Sequence, residues 1–202
     1  MAPRQRVDRA VILAAGDGNR LGWLTLTCPK VLLPVRRREP LISAPIEALV
    51  AAGISEIGIV VGYLGDKVIA ALGSRRSGAR LEYIWNPDYL GGTGLSLYRA
   101  REWARGGPIV LCMGDHLIDK EIVQRLLKTR TTFSETLCVD YHPAGYRETA
   151  EANKVTVDGA GRIKEIGKEL EHWDGLDTGV FLLGERFFEA LGELIITQGI
   201  NV

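Results

Sequence analysis

Apolar residues fall into two rhythms along this chain. Up to about residue 130, short apolar runs alternate with segments whose apolar positions recur every three to four residues. The runs at 10–13, 56–61, 80–85 and 108–113 are rich in Val, Ile and Leu and predict buried strands. Ile42, Ile46, Leu49 and Val50 lie on one face of a helix, with Ser43 as its expected cap, Pro45 in its first turn and Gly53 as its stop. Further helices are predicted at 65–72, through Leu97, Ala100 and Ala104, and behind an Asp119 cap with Ile122, Val123, Leu126 and Leu127 inward.

After residue 130 the pattern shortens. Strands are expected at 136–141, 154–157, 162–166 and 177–183, with Asp158-Gly159-Ala160-Gly161 as a hairpin turn. Phe187, Phe188, Leu191, Leu194 and Ile195 mark a closing helix. The pattern predicts an α/β, Rossmann-like fold: a mainly parallel sheet with helices on both faces, plus a small antiparallel extension in the second half. The 202 residues read as one domain with a shared core, divided near 130. In such sheets ligands bind outside the carboxyl ends of the strands, where Gly16, Gly62, Asn86 and Asp115 are expected.

Composition narrows the function classes. Lys+Arg and Asp+Glu number 25 each, so no global field favours nucleic acid or an acidic membrane. The short clusters Arg36-Arg37-Arg38 and Arg75-Arg76 read as solvated loops. Cys28, Cys112 and Cys138 are widely spaced, which indicates neither a zinc site nor a disulfide framework and fits a reduced, cytoplasmic setting. No apolar stretch reaches the ~18 residues of a membrane span, and the N-terminus lacks a signal-peptide core.

The first strand opens into Leu13-Ala14-Ala15-Gly16-Asp17-Gly18-Asn19-Arg20, followed by Pro29-Lys30. Small residues let backbone N–H groups approach an anion, and Arg20 and Lys30 add fixed positive charge, so the stretch reads as a polyphosphate grip. A dinucleotide fingerprint fails at Leu21, where a third glycine is required, and no Gly-Lys-Ser/Thr of a P-loop follows. The order Leu-Ala-Ala-Gly-x-Gly-x-Arg-Leu, then Pro-Lys, resembles the nucleotidyltransferases that join an NTP to a phosphorylated alcohol or sugar.

Other residues complete that chemistry. Asp115, a carboxylate at a strand end beside the grip, is the candidate ligand for Mg²⁺. Arg20 and Lys30 are expected to neutralise the triphosphate and the charge that develops during transfer. Asn86 and the backbone at Gly92 and Thr93 are candidates for holding the base, with Asn86 alternatively a turn residue before Pro87. His116 is either a supporting group or base on the acceptor-binding side of the site, or a surface histidine. A phosphorylated acceptor calls for cations, with Lys154 and Lys168 as candidates, while Asp177-Thr178-Gly179 can bind hydroxyls and Trp173 either walls the pocket or packs in the core.

Within the sugar-phosphate nucleotidyltransferases the chain is most similar to the CTP:inositol-1-phosphate cytidylyltransferases. The likeness rests on LAAGDGNRL, PKVLLPV, NPDY with its glycine-rich turn, Met113-Gly114-Asp115-His116, Glu151-Ala152-Asn153-Lys154-Val155 and Leu176-Asp177-Thr178-Gly179. It implies transfer of CMP from CTP to 1L-myo-inositol 1-phosphate with Mg²⁺, without a covalent enzyme intermediate, on the way to di-myo-inositol phosphate. The acceptor-binding part is expected at about 131–202; relatives fused to a membrane alcohol phosphotransferase leave fusion to or association with one open, and a homodimer is equally open. That family draws a second metal carboxylate from a Trp-x-Asp-x-Asp-type segment near the domain's end. Here the chain ends at Asn201-Val202 and Trp173-Asp174 comes too early, so the likeness implies either a domain truncated before that carboxylate, the favoured reading, or a second carboxylate drawn from elsewhere. The competing readings are another acceptor (phosphocholine or a sugar 1-phosphate), another NTP, a nucleotide-binding module without catalysis and, more remotely, a dehydrogenase.

Overall fold

The first apolar run extends one residue at either side into β1 (Arg9–Ala14), which is buried from Ala10 onward. β2 (Glu56–Val61), β3 (Arg75–Arg76), β4 (Ala79–Trp85) and β5 (Ile109–Met113) follow. The computed structural model describes residues 6–35, 38–129, 135–143 and 152–198. It comprises two units, Met1–Thr136 with Phe181–Val202, and Leu137–Val180.

In the first unit the strand order is β3-β4-β2-β1-β5. β1, β2, β4 and β5 are parallel, with Ala10 beside both Ile57 and Val110 and with Val61 beside Trp85. Successive β1 residues Val11, Ile12 and Leu13 are all buried, which requires cover on both faces. α1 (Ser43–Ala51), α2 (Gly65–Leu72), α3 (Gly92–Arg99), α4 (Arg101–Ala104) and α5 (Lys120–Lys128) connect the strands. The closing helix α6 (Glu185–Gln198) belongs to this same unit: Phe188 and Leu191 pack with Val11, Leu13, Leu97 and Ala100 in one core cluster.

Several expectations hold, and others are corrected. Asp119 caps α5, its Oδ1 accepting from the Glu121 N–H at 2.8 Å. Ser43 is no cap: it is the first residue of α1, and its buried hydroxyl accepts from the Arg76 guanidinium at 3.0 Å. Arg75-Arg76 is not a solvated loop. Ser77 and Gly78, at φ 51° and 95°, reverse the chain so that β3 pairs antiparallel with Arg80 and Ala79. Arg76 also bonds Glu39 at 3.0 Å. The helix expected through Ala104 breaks at Ala100 into α3 and α4. Arg36, Arg37, Glu151 and the terminal Asn201-Val202 lie outside the described residues.

The second unit is antiparallel. β7 (Lys154–Val157) and β8 (Ile163–Gly167) form the expected hairpin, closed by Gly161 N–H to Asp158 C=O at 2.9 Å. β9 (Gly175–Leu183) enters from this unit, pairs with β7, and is flanked by β6 (Thr136–Asp140). Asp174 is tied to β7, accepting from the Val157 N–H at 2.8 Å. Among the described residues no helix is long and apolar enough to cross a membrane.

Candidate active site

The parallel register brings the carboxyl ends of β4, β2, β1 and β5 side by side. Backbone bonds continue just past the strands: Tyr63 N–H to Ala15 C=O, Asn86 N–H to Val61 C=O and Gly114 N–H to Leu13 C=O, at 2.8–3.0 Å. Gly16, Gly62, Asn86 and Asp115, scattered over a hundred positions of sequence, therefore leave from one rim. The approach is close enough to require glycine at 62. A Cβ there would stand 2.8 Å from the Tyr89 Cβ and 2.9 Å from the carbonyl oxygens of Ala15 and Asn86. Gly62→Ala is expected to destabilise the protein by about 1–3 kcal/mol, read as a lower denaturant midpoint, because two of the clashing atoms are backbone. An unchanged midpoint would show that the rim is looser than drawn.

The loop after β1 is built from buried and open parts. Leu13, Ala14 and Ala15 are buried and support it, while Gly16 is exposed with open space where a Cβ would stand. Within the loop Gly18, and not Gly16, adopts a positive φ, at 67°. A Cβ at Gly18 would press on Lys30 and Thr25 at 3.0 Å. The chain then runs through the 3-10 segment Asn19–Thr25, with Arg20 exposed in its first turn. Sequence reasoning missed Thr25. Its buried hydroxyl lies 3.3 Å from Gly18 C=O and 3.2 Å from Gly22 C=O, and so ties the segment's two ends. No spacing rule marks such a threonine.

Buried Pro29 and Val31 hold Lys30 in a short 3-10 turn. Its Nζ donates to Asp115 Oδ2 at 2.5 Å, and His116 Nδ1 lies 2.8 Å from Asp115 Oδ1. His116 is thus joined to Asp115, with its ring still 44% exposed. The hydrogen bond from His116, then the hydrogen bond and charge of Lys30, hold the Asp115 carboxyl well below the usual carboxylate range, against the opposing effect of burial. A carboxyl whose folded pKa is depressed stabilises the fold above its unfolded value of about 4 and loses that contribution as pH falls below it. The thermal stability of the native protein is therefore expected to drop more steeply below about pH 4 than that of Asp115→Asn. Parallel acid limbs for the two would contradict the depressed pKa.

Asn86 stands at the turn before Pro87. It is fully buried, its Nδ2 donates to Ser96 Oγ at 2.9 Å, and its Oδ1 accepts from the Asp88 N–H at 3.1 Å. Gly92, at φ 94°, opens α3, and Thr93 beside it is exposed. Lys154, Lys168, Asp177, Thr178 and Gly179 all belong to the second unit. There Asp177 accepts from its own Gly179 N–H at 2.7 Å, and Thr178 donates to Cys138 C=O at 2.7 Å. Burial, with the Asp177 charge beside it, pushes the Cys138 thiol up to about 11, so it stays protonated.

Asp115 suits a magnesium ion that is shared with substrate. Mg²⁺ commonly takes one or two carboxylates and fills its remaining positions with phosphate oxygens and water. Asp115 offers an ionised, partly exposed carboxylate beside the loop; among the described residues no group of three or more His, Cys, Asp or Glu forms a cage.

A glycine loop with Lys30 and an ionised Asp115 at the carboxyl rim of a parallel sheet marks the class of nucleotide-handling α/β proteins. The profile of the MobA-like NTP transferase domain matches residues 10–200, and the chain belongs to that family. It is 35% identical, over 95% of its length, to the "Bifunctional IPC transferase and DIPP synthase" of Aquifex aeolicus, and covers 42% of that protein. It is 31% identical over 92% of its length to a "CMP-5'-(3-aminopropyl)phosphonate synthase" of Streptomyces rubellomurinus, covering 30% of it. Its fold matches the inositol-1-phosphate CTP transferase from T. maritima with a TM-score of 0.78 at 24% identity, over 97% of this chain and 84% of that one. The chain thus spans less than half the length of these two sequence relatives.

Proposed function

We propose that this chain transfers CMP from CTP to 1L-myo-inositol 1-phosphate, giving CDP-inositol and pyrophosphate. The observation that carries the transfer chemistry is the Lys30–Asp115 pair standing beside the glycine loop. The substrates are those suggested by the relatives named for IPC transfer. A phosphate oxygen of the acceptor attacks the α-phosphorus of CTP. One P–O bond forms, the bond to the bridging oxygen breaks, and pyrophosphate leaves with that electron pair.

The residues divide the work. Backbone N–H groups between Gly16 and Gly18 face the phosphates, and Arg20 neutralises the triphosphate. Lys30 stabilises the negative charge that grows on the phosphoryl oxygens in the transition state. Asp115, oriented by His116, would hold Mg²⁺, which when bound neutralises phosphate charge and aligns the phosphates. The backbone at Gly92 and Thr93 holds the base. Lys154, Lys168, Asp177, Thr178 and Gly179 serve the acceptor, with residues 1–202 acting as one transferase domain. An alcohol phosphotransferase, on the same or another polypeptide, would consume the CDP-inositol.

A second reading keeps CTP and changes the acceptor to an aminoalkylphosphonate, favoured by the Streptomyces rubellomurinus relative. Pyrophosphate release, measured for each NTP against inositol 1-phosphate, aminoalkylphosphonates, phosphocholine and hexose 1-phosphates, separates them. Turnover with CTP and inositol 1-phosphate is expected. Turnover only with a phosphonate establishes the second reading, and nucleotide binding without turnover on any acceptor sinks both.

A further inference from the structure

We propose that Tyr63 and Lys67 position the phosphate-binding loop for nucleotide, by holding the three successive carbonyls at its far end. The 3-10 segment Asn19–Thr25 ends in carbonyls to which no continuing helix donates an N–H. The Tyr63 hydroxyl lies 3.1 Å from Thr25 C=O and 3.2 Å from Leu26 C=O, within reach of both. Lys67 Nζ donates to Thr27 C=O at 2.5 Å. Side chains from the β2–α2 corner thus meet Thr25, Leu26 and Thr27 in turn.

The corner itself is firm. Tyr63 follows Gly62, its N–H bonds Ala15 C=O, and its ring lies 6.0 Å from that of Tyr89 at a 59° tilt. The loop therefore leaves the sheet at Ala15 and returns to rest on the residue bonded to Ala15. Apolar burial contributes little to holding it. Trp23 is 78% exposed and Leu26 68%, so polar tethers carry the task that packing performs elsewhere.

The consequence is specific to binding. Loop contacts with the triphosphate exist in the ground state as well as in the transition state, and a loosened loop must be ordered each time nucleotide binds. Lys30 lies beyond the tethered stretch and is held separately, by Asp115 and by buried Val31. Removing the tethers is thus expected to raise KM for CTP and spare kcat.

This inference rests on the nucleotide-loop reading of residues 16–30. The test compares the 202-residue chain with Tyr63→Phe, Lys67→Met and Lys67→Arg. KM and kcat are measured by pyrophosphate release, and amide hydrogen exchange of residues 19–27 is measured without substrate. Tyr63→Phe is expected to raise KM for CTP about three- to tenfold with kcat within about twofold, the scale of one lost hydrogen bond. Lys67→Met, at an exposed tether, should raise KM about twofold and Lys67→Arg should restore it. Exchange in 19–27 should quicken in Tyr63→Phe while β1 and β2 stay as protected as before. Unchanged KM and exchange in Tyr63→Phe, or a fall in kcat alone, would overturn the proposal. If the unaltered chain shows no turnover of CTP, the functional reading fails by itself, and faster or unchanged exchange in 19–27 still decides the tether.

Discussion

Asp115→Asn is expected to lower kcat by about 10²–10³-fold, the range seen when one electrostatic element of a transfer site is removed. The substitution keeps the shape of the side chain. Its carbonyl can still accept from Lys30 and its amide can face His116, so both present contacts have neutral substitutes. What disappears is the full negative charge, and with it the group best suited to Mg²⁺. Lys30 and Asp115 are each a quarter or more exposed, so losing their ion pair should cost only about 1 kcal/mol or less of stability. Steady-state turnover and a denaturation midpoint, measured on the same preparation, separate the two effects. Turnover within about threefold of the unaltered protein would place the metal-binding group elsewhere.

Lys30→Ala should be nearly as severe, with kcat falling about 10²-fold and KM for CTP rising several-fold less than that. The asymmetry has a structural basis. Arg20 and the loop backbone remain to attract the triphosphate in the ground state, whereas Lys30 is the cation placed against the Asp115 carboxylate. The Asp115 partner left behind is partly solvated and keeps its contact with His116, so the protein should remain folded. Measuring kcat and KM across CTP concentrations, with nucleotide affinity from direct titration, checks this. A large rise in KM at constant kcat would make Lys30 a binding residue only.

Much of this was legible from residue order. β2 was expected at 56–61 and β7 at 154–157, the ranges they occupy, because β-branched runs bounded by glycine or aspartate leave few alternatives. The Asp119 cap and the 158–161 turn rest on local side-chain chemistry and were equally readable. The small-residue loop after β1 was visible because its glycines break an apolar run that reads as a strand. The misses share a cause. Ser43 and Arg76 are bonded although 33 positions apart, and Arg75-Arg76 became a strand through the positive φ of Ser77 and Gly78. Asn86 bonds the Ser96 hydroxyl ten positions on, a contact that no spacing rule marks.

Taken alone, the amino-acid order determined most strands, most helices and the glycine loop that follows β1. These depend on periodicity and on contacts within a few residues. Only the tertiary structure decided which charges meet. Lys30 finds Asp115 across 85 residues because β1 and β5 pair in parallel and bring their carboxyl ends to one rim. It also decided that α6 packs into the same core cluster as β1 and α3, and that Thr25, Tyr63 and Lys67 hold the loop. Such contacts follow from strand order and register, and side-chain spacing along a single chain contains neither.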